Sequence, residues 1–345
     1  MTKNSKAGNK ENKVKTVIVG CGLMAREHLK NMLLQRDTTE ITFACEPSVA
    51  AYDETRKVFT AFGLNPPPNE PNLDKLLSAY GQSLEAAFII TPHSLHYSQT
   101  KKCLEAGLDV LLEKPMVMNA VEAQDLVNTR NNTGKLLVVA FQGSLSPQIR
   151  KAVEMLKDGS MGKMLNIIGW TWQNWKNEKQ GTWRMDPKLA GGGFFFDTGA
   201  HLLNTVADLG MEDYEEVCAW LDNRDTQVDI VGAAMGKLKS GTMVSLTACG
   251  DAKEDCLSDI RVYCTNGIIR TGMWGERLEI QKGVDNFYPI QVPSSLGVWQ
   301  QFLQVRSGLL ANPSPPEIGL RMAKLWDAIK ESSVHGGKPV RIQYL

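Results

Sequence analysis

Two hydrophobic patterns follow one another along this chain. Through the first 140 residues, short β-branched runs alternate with stretches of helical spacing. The run 14–19 (VKTVIV) ends at Gly20, as a buried parallel strand does. A helix is predicted over 26–35, a strand over 41–45 and a helix over 49–62. Residues 66–71 hold four prolines in six positions, which forbids regular structure there. A helix over 73–80, a strand over 86–90 that stops at Thr91-Pro92, and a helix over 96–106 capped by Gly107 come next. A strand over 110–112, a helix over 121–132 and a strand over 136–140 complete the series. Strands and helices alternating at this pitch describe βαβ units around a parallel sheet.

The pattern changes near residue 141. One helix is predicted over 147–157, and longer strands then dominate: 164–172, 215–221, 228–238, 242–248, 259–265 and 267–273. Ser240-Gly241 and Asn266-Gly267 lie between neighbouring strands, which is hairpin chemistry and implies antiparallel pairing. Two further helices are expected at 198–209 and 315–331. The predicted organisation is a disordered tail over 1–12, a dinucleotide-binding domain over 13–140 and a substrate and oligomerisation domain over 141–345.

Composition narrows the function classes. A chain of 345 residues accommodates two domains. Lysine plus arginine and aspartate plus glutamate both number 38, so the formal charge is zero. Residues 1–15 carry five lysines against Glu11, leaving the remainder at −4. Such a body has no global electrostatic reason to bind nucleic acid or an anionic membrane. No apolar window approaches the ~18 residues of a membrane-spanning helix, and the lysine-rich start has no apolar segment of a secretory signal. The seven cysteines contain no Cys-x-x-Cys pair and read as reduced thiols filling a core, so a cytoplasmic protein is expected.

Against this background four motifs carry chemistry. Gly20-x-Gly22-x-x-Ala25 stands between a strand and a helix. Gly20 allows a tight turn, Gly22 a close backbone approach and Ala25 close helix–strand packing, the helix N-terminus supplies donors for a pyrophosphate, and Leu23 and Met24 belong to the same cofactor-binding loop. A plain βα turn is the competing reading. Glu46, just after the second strand, can accept from both ribose hydroxyls and repel a 2′-phosphate, which favours NAD over NADP; the alternative is a cap for the helix near Val49. Glu113-Lys114-Pro115 follows a strand at the carboxyl end of the sheet, where α/β folds bind ligands. In Gly191-Gly-Gly-Phe-Phe-Phe-Asp197-Thr-Gly-Ala-His201, the acid and histidine are four residues apart and share a face if a helix starts there. A helix-start acid and a core histidine form the structural alternative.

Trp170, Trp172, Trp175 and Trp183 place four of eight tryptophans within 14 residues. Indoles stack on sugar rings and also fill sheets, so one or two are expected to line a pocket and the rest to pack. His93 and His96 straddle a loop-to-helix junction with no cysteine or carboxylate cluster, and no metal site is expected. No Gly-x-Ser-x-Gly nucleophile motif occurs.

Taken together, these residues resemble the glucose–fructose oxidoreductase / inositol dehydrogenase (Gfo/Idh/MocA-type) superfamily of NAD(P)-dependent sugar and polyol dehydrogenases. The resemblance runs from about Lys15 to the C-terminus. Besides the glycine loop, it covers Thr91-Pro92 with His96, Glu113-Lys114-Pro115, Gly181-Thr-Trp183-Arg184, the Gly191–Gly193 run, Asp197 with His201, and Gly337-Lys-Pro-Val340. It implies an α/β protein: an N-terminal Rossmann doubly wound parallel sheet, then an α/β domain on an open, largely antiparallel sheet. The helix over 315–331 would dock back on the first domain, and the open sheet would pair subunits into a dimer or tetramer.

By the same resemblance, Lys114 would contact the nicotinamide ribose and the substrate hydroxyl. Asp197 would orient His201, and both would flank the reacting carbon. Thr91, Pro92, His96 and Glu113 would complete the cofactor wall, with Trp172, Trp183 and Arg184 on the substrate side. The implied activity is reversible oxidation of a secondary alcohol on a sugar, cyclitol or polyol; whether Lys114 or His201 is the immediate base varies among relatives. Redox-assisted NAD-dependent glycoside cleavage and non-enzymatic dinucleotide sensing are the alternatives. One departure stands out. Many members carry an Asn-x-Arg-Phe-x-Pro-like segment where this chain has Phe141-Gln-Gly-Ser-Leu-Ser-Pro147, without an arginine.

Overall fold

Five strands pair in parallel in the order β2-β1-β3-β4-β5: β1 (Val14–Val19), β2 (Thr39–Cys45), β3 (Ala86–Ile89), β4 (Asp109–Leu112) and β5 (Leu137–Val139). The computed structural model describes residues 13–253 and 255–343; the expected tail over 1–12 lies outside the described residues. The connecting helices are α1 (Leu23–Leu33), α2 (Val49–Ala61), α3 (Leu73–Tyr80), α4 (His93–Glu105) and α5 (Ala120–Thr133). Every strand of this half lies where the apolar runs predict it. Val17, Ile18, Val19, Ala87 and Phe88 are at most 1% exposed, because helices cover both faces. Side chains of Ser48, Asn72 and Asn119 accept from the first-turn N–H groups of α2, α3 and α5. Two helices begin three residues earlier than expected: α1 at Leu23, with Gly22 as its extended N-cap, and α4 at His93, directly after Pro92.

The second half forms a nine-stranded sheet flanked by helices. Its elements are α6 (Gln142–Leu145), α7 (Pro147–Lys157), β6 (Met164–Trp172), α8 (Trp175–Lys179), α9 (Pro187–Ala190), α10 (Gly199–Gly210), β7 (Tyr214–Asp222), β8 (Val231–Leu238), β9 (Met243–Cys249), β10 (Leu257–Cys264), β11 (Gly267–Thr271), β12 (Leu278–Gln281), β13 (Tyr288–Pro289), α11 (Val298–Arg306), α12 (Pro316–Val334) and β14 (Val340–Arg341). Strand order is β13-β12-β11-β10-β6-β9-β8-β7-β14. β6 and β9 pair in parallel and the other neighbours antiparallel, including both glycine hairpins.

One face of this sheet is covered by α10. A Cβ on Gly169 of β6 would lie 2.8 Å from Leu202 of that helix. The registers place Ile168, Trp170, Trp172, Met235, Met243 and Trp220 together on the opposite face, where Ile168, Met235, Met243 and Trp220 are exposed.

Two late helices bind the halves together. α12 packs against the first half, where Asp327 Oδ2 accepts from Ala120 N–H at the start of α5 (2.9 Å). α11, which no pattern in the chain announces, packs against the first sheet. Trp299 is buried there, donating to Thr39 Oγ1 (2.8 Å) and stacking on Phe88. Arg306 reaches Asp109 and Glu85 at 2.9 and 3.0 Å. No helix among the described residues is long and apolar enough to cross a membrane.

Candidate active site

A cavity of about 600 Å³ lies between the carboxyl ends of β1, β3 and β4 and the segment leading into α10. Its first wall is the glycine loop. Gly20 has φ +92°, and a Cβ there would stand 2.5 Å from the Ile90 carbonyl oxygen, so no other residue fits this turn. Beside Gly22, in contrast, a Cβ would meet nothing within 4 Å, and the first turn of α1 carries no acidic residue. Its backbone N–H groups therefore open toward the cavity with the positive end of the helix dipole behind them. Glu46 closes the edge of this wall. One carboxylate oxygen accepts from Cys21 N–H (2.7 Å), the other from Ser48 N–H (2.8 Å), which ties the acid to both the glycine turn and the start of α2. It caps the start of α2 while lining the cavity beside the glycine loop.

The opposite wall converges on Asp197, which is 4% exposed. Its Oδ1 accepts from Lys114 Nζ at 2.8 Å, and its backbone oxygen from the same ammonium at 2.9 Å. Oδ2 accepts from Arg184 Nε at 2.9 Å and from Trp175 Nε1 at 3.0 Å. Burial by itself would raise the carboxyl; the Lys114 and Arg184 charges reverse this and hold it well below the usual carboxylate range. Glu113, next to Lys114, is likewise buried. Its pairing with His28 (2.6 Å) and the nearby Lys114 charge outweigh desolvation and bring it to about 2.

His201 lines the same cavity, between Phe141 and Trp274. Burial, reinforced by the Lys114 charge, lowers it to about 3, so the ring is neutral at pH 7. Its Nδ1 is sealed without a partner, leaving Nε2 as the nitrogen with access to the cavity. No hydrogen bond joins His201 to Asp197 among the described residues. The expectation that Asp197 orients His201 is therefore corrected. α10 begins only at Gly199, so the two residues share no helical face, and the donors of Lys114, Arg184 and Trp175 occupy the carboxylate.

Most of the other expected site residues reach the cavity: Gly20, Gly22, Leu23, Met24, Glu46, Thr91, Pro92, Glu113, Lys114, Trp183 and Arg184 all line it. Two do not. His96 is fully buried behind the wall, with ring nitrogens 2.8 and 2.9 Å from the carbonyl oxygens of Pro115 and Thr91. It ties the Thr91-Pro92 turn to the Lys114-Pro115 turn. Trp172 lies on the outer face of the second sheet, stacked on Trp170 with centroids 4.2 Å apart. Trp183 does line the cavity, but the Arg184 guanidinium lies 4.4 Å from its ring centroid and the His93 ring packs against it in a T shape, centroids 4.7 Å apart. Gln142, Gln173 and Trp274, which no motif marked, also line the cavity; His93, weighed above only as a metal ligand, lines it too, and Trp175, one of the clustered tryptophans, lies behind it. Gln142 and Trp274 are brought there by chain reversals that no periodicity announces.

The chain is similar in family and fold to known oxidoreductases. Residues 14–141 match the model of an oxidoreductase family with an NAD-binding Rossmann fold, and residues 149–270 match the GFO/IDH/MocA C-terminal domain. Among curated proteins, the chain is 28% identical over 127 residues to an NADP(+) scyllo-inositol 2-dehydrogenase of Bacillus subtilis, covering 37% of this chain and 35% of that protein. The matched stretches span 35%, 43% and 54% of the first three such relatives, so they cover about a third to a half of each. Two solved structures share the fold over nearly the whole chain, both with TM-score 0.82. They are an aldose-aldose oxidoreductase from Caulobacter crescentus (18% identity, 96% of this chain and 100% of that one) and a levoglucosan dehydrogenase in complex with NADH and L-sorbose (19% identity, 96% and 99%).

Proposed function

The chain belongs to the GFO/IDH/MocA family of oxidoreductases, and from that premise we propose that it is an NAD(P)-dependent dehydrogenase acting on a secondary alcohol of a sugar, cyclitol or related polyol. The observation that carries this reading is the Lys114–Asp197–Arg184 cluster, set across one cavity from the glycine loop with a neutral His201 alongside. The residues present fit a dinucleotide: a Cβ would collide at Gly20 but meets open space beside Gly22, and α1 starts without an acid. Gly22, Leu23 and Met24 would hold the pyrophosphate, Glu46 the adenosine ribose, and Thr91, Pro92 and Lys114 the nicotinamide end. When bound, the cofactor supplies the acceptor for the hydride that leaves the carbinol carbon.

The protein's own groups manage the proton. Two bonds from the Lys114 ammonium go to Asp197, which fixes its direction and leaves its third N–H for the substrate oxygen. There it stabilises the alkoxide that develops as the C–H bond breaks. The neutral His201 Nε2 is placed to take the hydroxyl proton, since an imidazole held at about 3 is unprotonated at neutral pH. Asp197 anchors the lysine and takes no proton. Formation of NADH or NADPH over a panel of sugars, cyclitols and anhydrosugars tests the proposal. Turnover of at least one polyol is expected; tight dinucleotide binding without turnover of any would instead favour a sensing regulator.

Glu46 sets the cofactor preference in this proposal. A carboxylate that accepts ribose hydroxyls and repels a 2′-phosphate favours NAD. Fluorescence titration should give tighter NAD than NADP binding, with the gap narrowed in Glu46→Ser, and tighter NADP binding by the unmodified protein would refute it. The division of the chain near residue 140 and the pairing of the open sheet face into a homodimer or homotetramer belong to the same proposal. A face carrying Ile168, Met235, Met243 and Trp220 presents an apolar patch for burial, and light scattering reports the assembly. The seven unpaired cysteines suit a reducing, cytoplasmic setting.

A further inference from the structure

His93 has so far been given no part in the chemistry, yet it lies against the Lys114–Asp197 pair. It is the first residue of α4, 4% exposed, and lines the cavity. Its Nδ1 is 2.7 Å from the Ala190 carbonyl oxygen. A carbonyl oxygen only accepts, so Nδ1 carries the hydrogen. Burial lowers the ring to about 3, despite the neighbouring Asp197 charge, so a second proton is absent at neutral pH. The tautomer is thereby fixed, and Nε2 presents a lone pair.

That lone pair has no donor among the described residues. The nearest polar atom given for it is Asp197 Oδ1, at 3.7 Å, which is itself an acceptor and is bonded to Lys114 Nζ at 2.8 Å. Two acceptors cannot satisfy each other. Nε2 is also not among the atoms sealed from solvent without a partner, so a small molecule in the cavity can reach it. The fixed environment thus asks for a donor from the ligand. A hydroxyl supplies one; an ether oxygen, a carbonyl or a carboxylate does not. The Lys114 ammonium and His93 Nε2 lie 2.8 and 3.7 Å from the same carboxylate oxygen, so one small polyol can present a neighbouring hydroxyl to each.

Resting on the function proposed above, we infer that His93 Nε2 accepts a hydrogen bond from a second free hydroxyl of the substrate, on a carbon next to the carbinol held at Lys114, so that the preferred substrate is a vicinal diol. His93 binds and selects; it moves no proton.

The test pairs substrate and protein changes. kcat/KM is measured for the best polyol of the panel and for its monodeoxy analogues at the carbons flanking the oxidised one. The unmodified protein is compared with His93→Phe, which keeps a ring without the acceptor, and His93→Asn, which retains a short one. Removing the relevant hydroxyl should cost the unmodified protein roughly 10-fold, mostly in KM. It should cost His93→Phe nothing further, with His93→Asn between them. An equal penalty in the unmodified protein and His93→Phe overturns the inference, as does the absence of any penalised monodeoxy analogue. Should His93→Phe fail to fold, His93→Asn carries the same comparison. Dissociation constants of diol and monodeoxy ligands, read by tryptophan fluorescence, separate the two levels of argument. If no polyol is turned over, the function proposed above fails; independently, equal binding of diol and monodeoxy ligands by the unmodified protein, or an undiminished preference for the diol in His93→Phe, sinks the His93 assignment.

Discussion

On the parallel-sheet side, the wall of the cleft is largely backbone: a glycine with φ +92°, the open N-terminus of α1, and a carboxylate tied down by two main-chain N–H groups. On the other side, it is a convergence of side chains from four separate segments on one buried aspartate. A backbone cradle is specified by a few consecutive residues and tolerates change around it. A charge cluster is specified by distant residues and depends on each of them, because a buried cation that loses its partner keeps the whole desolvation cost. The two walls should accordingly respond differently to single substitutions.

The largest effect is expected at Asp197. Asp197→Asn preserves shape but leaves Lys114 and Arg184 facing each other, each with only 13% and 23% of its side chain exposed and no carboxylate between them. Removing one member of such a cluster costs about 3–5 kcal/mol. Urea unfolding should show that loss, and kcat should fall by roughly 10²–10⁴ because the lysine is no longer aimed. Dinucleotide affinity should change little. If affinity for NAD collapses together with kcat, the separation of the two walls is wrong.

Gly20→Ala is the matching change on the backbone wall. The added methyl would have to displace the Ile90 carbonyl and adopt a conformation that side chains disfavour, at roughly 2–4 kcal/mol together. Dinucleotide binding should weaken sharply, while a substrate analogue should still protect Trp183 fluorescence. Loss of both would show that the walls are one cooperative unit.

These contrasts explain what could be read from the sequence. The five parallel strands, the glycine loop and Glu113-Lys114-Pro115 are local patterns, and each lies where its pattern predicts. The hairpins at Gly241 and Gly267 were equally legible, because turn chemistry acts over two residues. The Asp197 cluster was legible only as candidates. Trp175 reaches it from 22 residues away and Lys114 from 83, and His93 is fixed by a carbonyl 97 residues distant. No period encodes such meetings. The short strands β12, β13 and β14 and the helix α11 gave no signal for the same reason. α11, for example, owes its burial to Phe88 and Thr39, more than 200 residues earlier.

Acid should separate the walls by another route. His93 and His201 both lie near 3 in the folded protein, against about 6.5 when unfolded. Between those values the unfolded chain binds protons that the folded one does not, so stability is full above pH 6.5 and falls as pH drops toward 3. Each imidazole contributes up to about 1.4 kcal/mol per pH unit in that window. Glu113, lowered to about 2 against its usual 4.5, adds to the loss below pH 4.5. Urea midpoints from pH 7 to pH 4 should decline, and His201→Asn should flatten the slope. An unchanged slope would mean that this histidine is not held neutral by the fold.

The smallest expected effect distinguishes two neighbouring tryptophans that the sequence could not tell apart. Trp175 is fully buried and donates to Asp197 Oδ2, so Trp175→Phe keeps the packing and removes one hydrogen bond to a charged group. Such a bond contributes about 1.5–3 kcal/mol, and its loss should appear in kcat through a looser Lys114. Trp172, three residues earlier, points to the other side of β6. It stacks on Trp170, its register neighbour is Cys249, and it does not border the cavity. Trp172→Ala should therefore leave KM for every polyol unchanged and lower only stability or the molar mass seen by light scattering, because its outer face carries the exposed Met235 and Met243. A rise in KM on that substitution would place Trp172 in the substrate site after all. It would mean that the outer face of the sheet completes the cavity of another subunit rather than only covering its counterpart.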